Sequence, residues 1–436
     1  MNREAIFHNP VSNYAFPISY EKFKVRLRAG KGDLDRVTLV IGNKYLWHTR
    51  KEVPMEVEGS DELFDYYSYV YPVDDPRVAY YFLLEKGDEQ WLYGDSGFAK
   101  PELVNIDEDE SSAFVNFHFP FINRIDIHKK PSWVNSAVFY QIFPERFCNG
   151  NPKLSPENVA PWGTAPDRQI FMGGDLPGIT QKLSYLEELG VNALYLTPIF
   201  EATSNHKYDT VDYTRIDPHF GDESDLVELI NQAHKRGIRV ILDGVFSHTG
   251  RDSKYFNYYG HYPTVGAYNS PDSPYYSWYQ FGKDRDDYKS WWGIRLLPEI
   301  REEEPSYRDY ICGENGILRR WMRCGISGWR LDVADELPDV FLDDLRRAVK
   351  SEDPDAIIIG EVWEDATTKF AYGQRRRYLL GNQLDSVMNY PFTAAILHFV
   401  RYGGGQAFLD AILSITEHYP PQVTAVLMNH IGTHDT

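Results

Sequence analysis

The chain has 436 residues, which is long enough for two or three domains with a well-buried core. Hydrophobic residues make up 42% and charged residues 25% of the sequence, as in an ordinary folded protein, so extensive disorder is excluded. With 45 basic and 64 acidic residues the net charge is −19, and the chain repels phosphate backbones and anionic membranes. We therefore expect neither nucleic acid nor a membrane as a partner.

The first residues and the cysteines both bear on the cellular compartment. The opening segment contains no continuous apolar stretch of the kind that directs secretion, and no run in the sequence approaches membrane-spanning length. The three cysteines are an odd and low number, which argues against a disulfide framework and fits a reducing compartment: Cys148, Cys312 and Cys324. A cytoplasmic location is expected.

Residues 1–120 are predicted to form short antiparallel strands. Apolar and polar residues alternate there in segments separated by Gly, Asp and Pro turns, at residues 22–30, 36–42, 65–73, 77–87 and 89–94. Such strands indicate an all-β sandwich domain over residues 1–120. A connector follows around residues 117–131, and we place the interdomain linker at 121–135.

Beyond residue 131 the sequence changes to near-continuous apolar runs separated by amphipathic helices. The runs occupy residues 137–147, 192–200, 239–248, 328–335, 356–363, 384–391 and 423–432. Apolar strands that alternate with helices indicate an α/β fold with a parallel sheet covered by helices. Seven strands predict a (β/α)8 TIM barrel over residues 136–436 that lacks its last βα unit. A doubly wound open sheet is the alternative, but no glycine-rich phosphate loop follows the first strand.

One interval between the predicted strands is unusually long. From His248 to Gly328 the chain is rich in Tyr, Asp, Gly and Pro, and it exceeds the length of a plain βα connection. We therefore predict a small subdomain inserted at about residues 249–300, over the barrel mouth.

Four carboxylates lie at or just beyond the ends of predicted strands: Asp243, Asp332, Glu361 and Asp435. Residues in such places face one mouth of a barrel and are available for catalysis. For any one acid alone, capping of the following helix is the stronger interpretation. Four acids in order, with two histidines and an arginine beside them, are hard to explain by capping: His248, Arg330 and His434.

Several acids in one mouth indicate glycoside hydrolysis. In that reaction one carboxylate attacks the anomeric carbon, and one protonated carboxyl releases the leaving oxygen. Crowding of like charges would raise one pKa enough for the second role. Arg330 precedes Asp332 by two residues in a strand, so both side chains point to one face, where the guanidinium would keep Asp332 ionised. A purely structural Arg–Asp pair is the alternative.

The aromatic content of 15% also suits a neutral carbohydrate ligand. Flat sugar faces stack on aromatic rings, although core packing must account for most of these residues.

In six short motifs the sequence resembles the α-amylase family of glycoside hydrolases. Within that family it resembles the neopullulanase, cyclomaltodextrinase and maltogenic amylase group. Four of them are DGVFSH, GWRLDVADE, GEVWEDA and GTHDT, in the family's order and spacing. NHKYDTVDYTRIDPHFG and GGDLPGI are typical of the group. The resemblance covers residues from about 132 to 436, and the first domain looks like the starch-binding-type module of this group.

The resemblance implies a role for each site residue. Asp332 would be the nucleophile, Glu361 the general acid/base and Asp435 the acid that supports the transition state. The implied substrate-binding residues are Tyr208, Asp243, His248, Arg330, Glu336, Trp363 and His434. For Glu336 and Trp363, an acid at a helix N-terminus and a packing indole remain open alternatives.

The resemblance also implies a calcium site, which this sequence matches only in part. The implied ligands are Asn149, Asn151, Gly173 and Asp175, whose oxygens suit Ca²⁺. Asn151 replaces an acid of the group and should weaken binding, and a turn with an asparagine cap is the alternative. A second family calcium site is expected to be missing, because Ser247 replaces its asparagine ligand. Asp335 stands where the group usually has Asn.

The expected function is that of a retaining α-glucan hydrolase acting on α-1,4 bonds of cyclodextrins, maltooligosaccharides or pullulan. The alternatives are an α-glucosidase, a glucanotransferase, or a truncated, inactive barrel that serves only for binding or assembly. The first domain would bind glucan or form a homodimer, and the resemblance favours the homodimer. Because the sequence stops after Thr436, we expect a C-terminally truncated chain that is unstable or nearly inactive by itself.

Overall fold

The computed structural model describes residues 1–10, 13–104, 116–119, 121–123, 126–167 and 169–435. It divides into two compact units. The first comprises Met1–Lys129, Tyr378–Asn382 and Tyr390–Ala425, and the second comprises Lys130–Arg377, Gln383–Asn389 and Val426–Thr436. Parts of the predicted domains lie outside the described residues, among them residues 105–115 and 120 of the sandwich, 124–125 of the linker and Thr436 of the barrel.

The strands of the first unit are β1 (Ala15–Ser19), β2 (Lys22–Gly30), β3 (Arg36–Asn43), β4 (Lys51–Pro54), β5 (Glu56–Ser60), β6 (Phe64–Pro72), β7 (Val78–Lys86), β8 (Glu89–Gly94), β9 (Gly97–Ala99) and β10 (Phe117–Phe119). They form two antiparallel sheets, in the orders β1-β2-β6-β5 and β4-β3-β7-β8-β9. β10 pairs with β7, although the sequence pattern placed these residues in a connector.

One apolar core lies between these two sheets. Phe23, Val25 and Leu27 of β2 are buried in the same cluster as Leu39 of β3 and Phe82 of β7. The alternate residues of β2 share this face because strand side chains repeat every second residue. The predicted antiparallel sandwich is confirmed.

The second unit contains a parallel sheet of six strands in chain order: β11 (Phe139–Ile142), β12 (Ala193–Leu196), β15 (Arg239–Gly244), β16 (Gly328–Leu331), β17 (Ile357–Gly360) and β20 (Ser386–Val387). Two short antiparallel hairpins are β13 (Phe200–Ala202) with β14 (Thr210–Ile216), and β18 (Phe370–Ala371) with β19 (Gln374–Arg375). The seventh predicted strand is represented by a single parallel bridge between Met388 and Met428. The strand order shows no reversal, which excludes the doubly wound alternative.

The α-helices are α1 (Leu176–Gln181), α2 (Leu183–Glu188), α3 (Glu223–His234), α4 (Pro305–Cys312), α5 (Ile317–Met322), α6 (Asp339–Glu352), α7 (Tyr390–Tyr402), α8 (Gly405–His418) and α9 (Pro421–Thr424). α3 shows why these segments are helical. Asp222 and Asp225 form a capping box, and Leu226 and Ile230 lie one turn apart on its buried side. Among the described residues, no helix is long and apolar enough to cross a bilayer.

The second face of β2 is also buried, although it carries charges. Lys24 and Arg26 are only 3% and 2% exposed. Lys24 donates to Glu58 of β5 at 2.7 Å, and Arg26 donates to main-chain carbonyls of α8, including that of Thr416 at 3.2 Å. Acceptors from β5 and α8 thus compensate the cost of burying these cations.

The long interval after β15 contains turns and aromatic packing. Its residues around Phe256 form a cluster in which that ring contacts Tyr279 at 4.9 Å, Phe281 at 5.9 Å and Tyr288 at 4.8 Å between centroids. Antiparallel bridges join His248 to Glu299 and Ser290 to Pro298. These contacts place residues 290–298 beside the end of β15.

Candidate active site

The carboxyl ends of three neighbouring parallel strands bring predicted site residues together. The register pairs Asp243 of β15 with Arg330 of β16, and Leu331 of β16 with Gly360 of β17. Asp332 and Glu361 directly follow the second pair, so they lie side by side at the same edge of the sheet.

The Arg330 guanidinium lies at the centre of this edge, and its side chain is 1% exposed. Its Nη1 lies 3.1 Å from both oxygens of Asp243 and 3.0 Å from Oδ1 of Asp332. Its Nη2 lies 3.0 Å from Oε2 of Glu361. We call Arg330 and these three acids the Arg330 cluster. A single cation thus orients three carboxylates through charge-assisted contacts.

The two central carboxyls of the cluster have opposite pKa shifts. Burial raises the pKa of Asp332 well above its usual range; Arg330 opposes this rise, while Glu361 and Asp243 add to it. Burial also acts to raise the pKa of Glu361, but Arg330 and hydrogen bonds from neighbouring N–H groups outweigh it, so that pKa is lowered. Because both acids contact the same guanidinium, their protonation is linked.

Asp243 braces the floor of the site. Its Oδ2 accepts hydrogen bonds from the hydroxyls of Tyr195 and Tyr208, the latter at 2.9 Å. Burial raises the pKa of Asp243, and Arg330 opposes that rise. With its oxygens occupied by protein donors, Asp243 is placed to support its neighbours.

His434 extends this network toward the cavity. Its Nε2 lies 2.8 Å from the hydroxyl of Tyr208, its Nδ1 lies 2.6 Å from Nε2 of Gln141, and its ring stacks on Tyr208 at 12°. Since Tyr208 donates to Asp243, the pattern fits a neutral His434 that carries its proton on Nε2. Burial lowers the pKa of His434, although Asp435 opposes this effect.

His248 has protein partners on both ring nitrogens. Nδ1 lies 3.0 Å from Oγ of Ser247, and Nε2 lies 3.1 Å from the main-chain oxygen of Tyr208. Burial lowers the pKa of His248 to about 4, so the ring is neutral near pH 7. The hydrogen bond from His248 to a sugar hydroxyl stays a prediction. Ser247 orients the His248 ring through its contact with Nδ1.

Glu361 is held by donors from two directions. The main-chain N–H of Val333 donates to Oε2 at 2.8 Å, and the indole Nε1 of Trp363 donates to Oε1 at 3.0 Å. Val333 has φ 37° and ψ 56°, which is strained for a β-branched residue. The turn after Asp332 thus positions the neighbouring carboxyl as well. Trp363 is 53% exposed, which does not fit the alternative of a packing indole.

Glu336 and Asp335 follow the same turn and have different partners. Glu336 accepts a hydrogen bond at 2.7 Å from the indole of Trp292, and burial raises its pKa. Asp335 lies 2.8 Å from Nζ of Lys369. Its negative charge therefore has its own cation.

A cavity of about 970 Å³ opens above the Arg330 cluster. Seven of the predicted catalytic and substrate-binding residues line it: Tyr208, His248, Asp332, Glu361, Trp363, His434 and Asp435. The Asp435 side chain is 47% exposed, and its Oδ1 lies 3.4 Å from Nε2 of His434. Asp243 and Arg330 are buried.

Sequence reasoning missed several residues of the site. Gln141 and Tyr195 bond to His434 and Asp243, and each is a polar group within an apolar strand that could have signalled its role. Trp291 lines the cavity, and Trp292 bonds to Glu336. Their signal was a pair of adjacent tryptophans within the predicted inserted segment.

The expected calcium ligands lie close together. Asp175 accepts from the main-chain N–H groups of Gly150, Asn151 and Gly178, at 3.0, 2.8 and 2.6 Å, and so caps α1. Asn149 donates to Ser155, whereas its buried Oδ1 has no hydrogen-bond partner. Among the described residues, no group of three or more His, Cys, Asp or Glu side chains is placed to hold a metal. One free oxygen beside one occupied carboxylate is a poor fit to Ca²⁺ and a better fit to the capped turn.

Two family models match the chain. The family described as alpha amylase, catalytic domain, matches residues 141–436, and the alpha amylase N-terminal ig-like domain matches residues 1–123. The chain belongs to the α-amylase family. The predicted membership in this family of glycoside hydrolases is therefore confirmed.

Individual relatives extend over the whole chain. A cyclomaltodextrinase of Geobacillus thermopakistaniensis is 38% identical over 100% of this chain and 72% of its own length. Neopullulanase 2 of Thermoactinomyces vulgaris is 39% identical over 99% of this chain and 72% of its own. A solved cyclomaltodextrinase structure has a TM-score of 0.89 and 39% identity, and covers 100% of this chain and 72% of that one.

We predict that Asp332→Asn stabilises the fold at neutral and alkaline pH. Its raised pKa means that folded Asp332 holds its proton more tightly than the unfolded chain does. Ionisation therefore destabilises the fold as pH rises above about 3.9, and fully so above the folded-state pKa. Thermal unfolding should show a Tm gain of roughly 2 °C or more at pH 8 that shrinks toward pH 4.

Asp335→Asn is the matched control, because the same change there removes an ion pair with Lys369 and should give no gain. A Tm of Asp332→Asn at or below that of the unmodified protein at pH 8 would contradict the prediction.

Proposed function

We propose that the protein is a retaining α-glucan hydrolase that cleaves α-1,4 glycosidic bonds of cyclodextrins, maltooligosaccharides or pullulan. The observation that carries the proposal is the pair Asp332 and Glu361, held by one guanidinium at the base of an open cavity. Relatives named cyclomaltodextrinase, neopullulanase and maltogenic α-amylase support the substrate class.

In the first step Asp332 attacks the anomeric carbon while Glu361 protonates the glycosidic oxygen, which leaves with its sugar. The product is a glycosyl ester of Asp332 and an ionised Glu361. That ionised carboxylate is stabilised by Arg330 and by the N–H groups of Val333 and Trp363, the contacts that lower its pKa. In the second step Glu361 takes a proton from water, whose oxygen attacks the anomeric carbon and releases Asp332.

The first step requires the proton on Glu361 and a negative charge on Asp332. In the substrate-free site both carboxyls contact Arg330, so their protonation is linked. A bound glycosidic oxygen favours the proton on Glu361, because it accepts a hydrogen bond only from protonated Glu361. We infer that substrate binding selects this productive arrangement, with Arg330 in contact with both carboxyls throughout.

The remaining cavity residues would bind the sugar whose bond is cleaved. Tyr208 would stack on it, while His248 and His434 would face its hydroxyls. Asp435 is placed at the cavity surface beside His434, where its carboxylate would support the positive charge that develops on the ring. Glu336 and Trp363 would contact the sugar on the leaving side.

Product analysis on γ-cyclodextrin, pullulan and soluble starch tests the function. We expect short α-configured maltooligosaccharides, with the new anomer followed by proton NMR, and loss of roughly 10³-fold or more of the rate in Asp332→Asn. Asp88→Asn, the same change on an exposed turn, is the control that should leave the rate unchanged.

Equal sugar release by the unmodified protein and Asp332→Asn would show that the nucleophile is wrongly assigned, and a β-anomer would exclude retention. Release of glucose alone would indicate an α-glucosidase, and lengthened glucans a glucanotransferase. Binding without turnover would indicate an inactive barrel.

Architecture, location and assembly complete the proposal. We propose that the parallel sheet is part of a (β/α)8 barrel, with domain limits near 1–120, 121–135 and 136–436 and an inserted subdomain at about 249–300. A cytoplasmic location is supported by a Bacillus subtilis relative named intracellular maltogenic amylase, 36% identical over 100% of this chain and 72% of its own length.

We further propose a homodimer formed through the sandwich, on which apolar side chains such as Tyr45, Leu46 and Leu63 are 68%, 50% and 66% exposed. Sedimentation velocity should show a dimer that Tyr45→Ser with Leu46→Ser weakens. A monomer at every concentration would contradict the dimer and favour glucan binding by this domain.

Calcium is proposed to bind at Asn149, Asn151, Gly173 and Asp175 only weakly, because three main-chain N–H groups already occupy the single carboxylate. A ligand that is dilute relative to its Kd stabilises little, so EDTA should leave Tm nearly unchanged. A clear rise of Tm in micromolar CaCl₂, absent in Asn149→Ala, would contradict weak binding.

A further inference from the structure

Gln141 is a polar residue near the end of the apolar strand β11. Its register partner in the neighbouring strand β12 is Tyr195, so the two side chains lie on the same face of the sheet. Tyr195 donates to Asp243, and Nε2 of Gln141 lies 2.6 Å from Nδ1 of His434. Both strands thus contribute a polar group to the hydrogen-bond network above the Arg330 cluster.

The hydrogen bonds of this network can run in only one direction. Asp243 faces Nη1 of Arg330 with both oxygens at 3.1 Å, as an ionised carboxylate does, and an ionised carboxylate only accepts. The single hydroxyl hydrogen of Tyr208 therefore points to Asp243, at 2.9 Å. The Tyr208 oxygen is left to accept from Nε2 of His434, at 2.8 Å.

The other nitrogen of the His434 ring meets the amide of Gln141. When a neutral imidazole carries its proton on Nε2, Nδ1 is an acceptor, and the Gln141 amide satisfies it with an N–H. Two N–H groups cannot face each other at this distance. The amide donor therefore excludes a proton on Nδ1, and with it both the second neutral tautomer and the cationic form of His434.

The charges around His434 explain why such a constraint is needed. Asp435 lies 3.4 Å from Nε2, and Asp243 and Glu361 add further negative charge, so three carboxylates favour a cationic ring. Arg330 and burial oppose them, since the His434 side chain is only 12% exposed. These opposing influences leave the charge of the ring sensitive to what faces Nδ1.

We propose that Gln141 is a positioning residue for the reaction, whose amide holds the His434 ring neutral with its single proton on Nε2. A neutral ring donates from Nε2 to a sugar hydroxyl without adding charge to the cavity. A cationic ring would oppose the positive charge that develops on the sugar in the transition state. The effect on the rate rests on the proposed function, whereas the effect on His434 does not.

Nitrogen-15 NMR of histidine-labelled protein detects the ring protons of His434 directly and requires no substrate. At pH 7 we expect a proton on Nε2 and none on Nδ1 in the unmodified protein, with the signals assigned from His434→Gln. In Gln141→Glu the new carboxylate would accept from a protonated Nδ1. The pKa of His434 should therefore rise by about one unit or more.

Gln90→Glu is the matched control, because it adds the same charge at an exposed position of β8 and should leave the pKa of His434 unchanged. Gln141→Met is the second variant. It removes the amide donor, adds no charge and nearly keeps the shape of the side chain, so the pKa of His434 should rise by less than in Gln141→Glu. A proton on Nδ1 in the unmodified protein, or a pKa of His434 that neither variant raises, would overturn the proposal.

The rates of the same variants test the positioning role. At pH 7 kcat/KM on maltohexaose should fall about tenfold or more in Gln141→Glu, because a cationic ring repels the positive charge on the sugar. The loss should be smaller in Gln141→Met. In Gln141→Glu it should lessen as pH rises through the new pKa of His434, because the ring then loses its charge.

Two kinds of failure can be told apart. Equal rates for Gln141→Glu and Gln90→Glu at pH 7, with the pKa of His434 raised only in the first, would overturn the positioning role. If the unmodified protein cleaves no α-glucan, the proposed function fails. The NMR measurement still decides in that case whether Gln141 holds His434 neutral.

Discussion

The site depends on one buried cation that faces three acids. With Asp243, Asp332 and Glu361 ionised, the Arg330 cluster carries three negative charges and one positive charge, so its net charge is −2 in a place with little water. Complete ionisation of such a group costs free energy, and protonation of one carboxyl lowers that cost. The excess negative charge of the cluster therefore favours the retention of one proton, which acid catalysis needs.

The acids differ because their other partners differ. Asp243 is occupied by two tyrosine hydroxyls and braces its neighbours, whereas Glu361 receives donors that stabilise its charged form. Asp332 has Arg330 as its cation, and burial raises its pKa well above the usual range. Asp435 lies at the exposed end of the site. Strand register and hydrogen-bond donors thus give these four carboxylates different environments, and with them different roles.

The sequence predicted those features whose signals are local. Alternation located β2 and β8 to the residue, and strand-end acids located Asp332 and Glu361. It did not predict β10, whose pairing with β7 is a long-range contact, nor the burial of Lys24 and Arg26, which depends on α8. The seventh apolar run resembles the others in sequence, yet it forms only a single bridge, at Met428. Strand pairing depends on contacts with a neighbouring strand, and an apolar pattern does not reveal those contacts. The sequence did not predict the turn at Trp292, because a bulky non-glycine residue does not indicate a positive φ.

Backbone strain lies beside the chemistry. Three of the described non-glycine residues with positive φ adjoin site or cavity-lining residues: Lys207 before Tyr208, Val333 after Asp332, and Trp292 after Trp291. Each is over-determined by its surroundings, since Lys207 pairs with Asp217 at 2.7 Å, Val333 donates to Glu361, and Trp292 donates to Glu336. Strain that is held by such contacts keeps the neighbouring side chain in one orientation. In this fold the same turns that cost stability therefore reduce the motion of the groups that must meet the sugar.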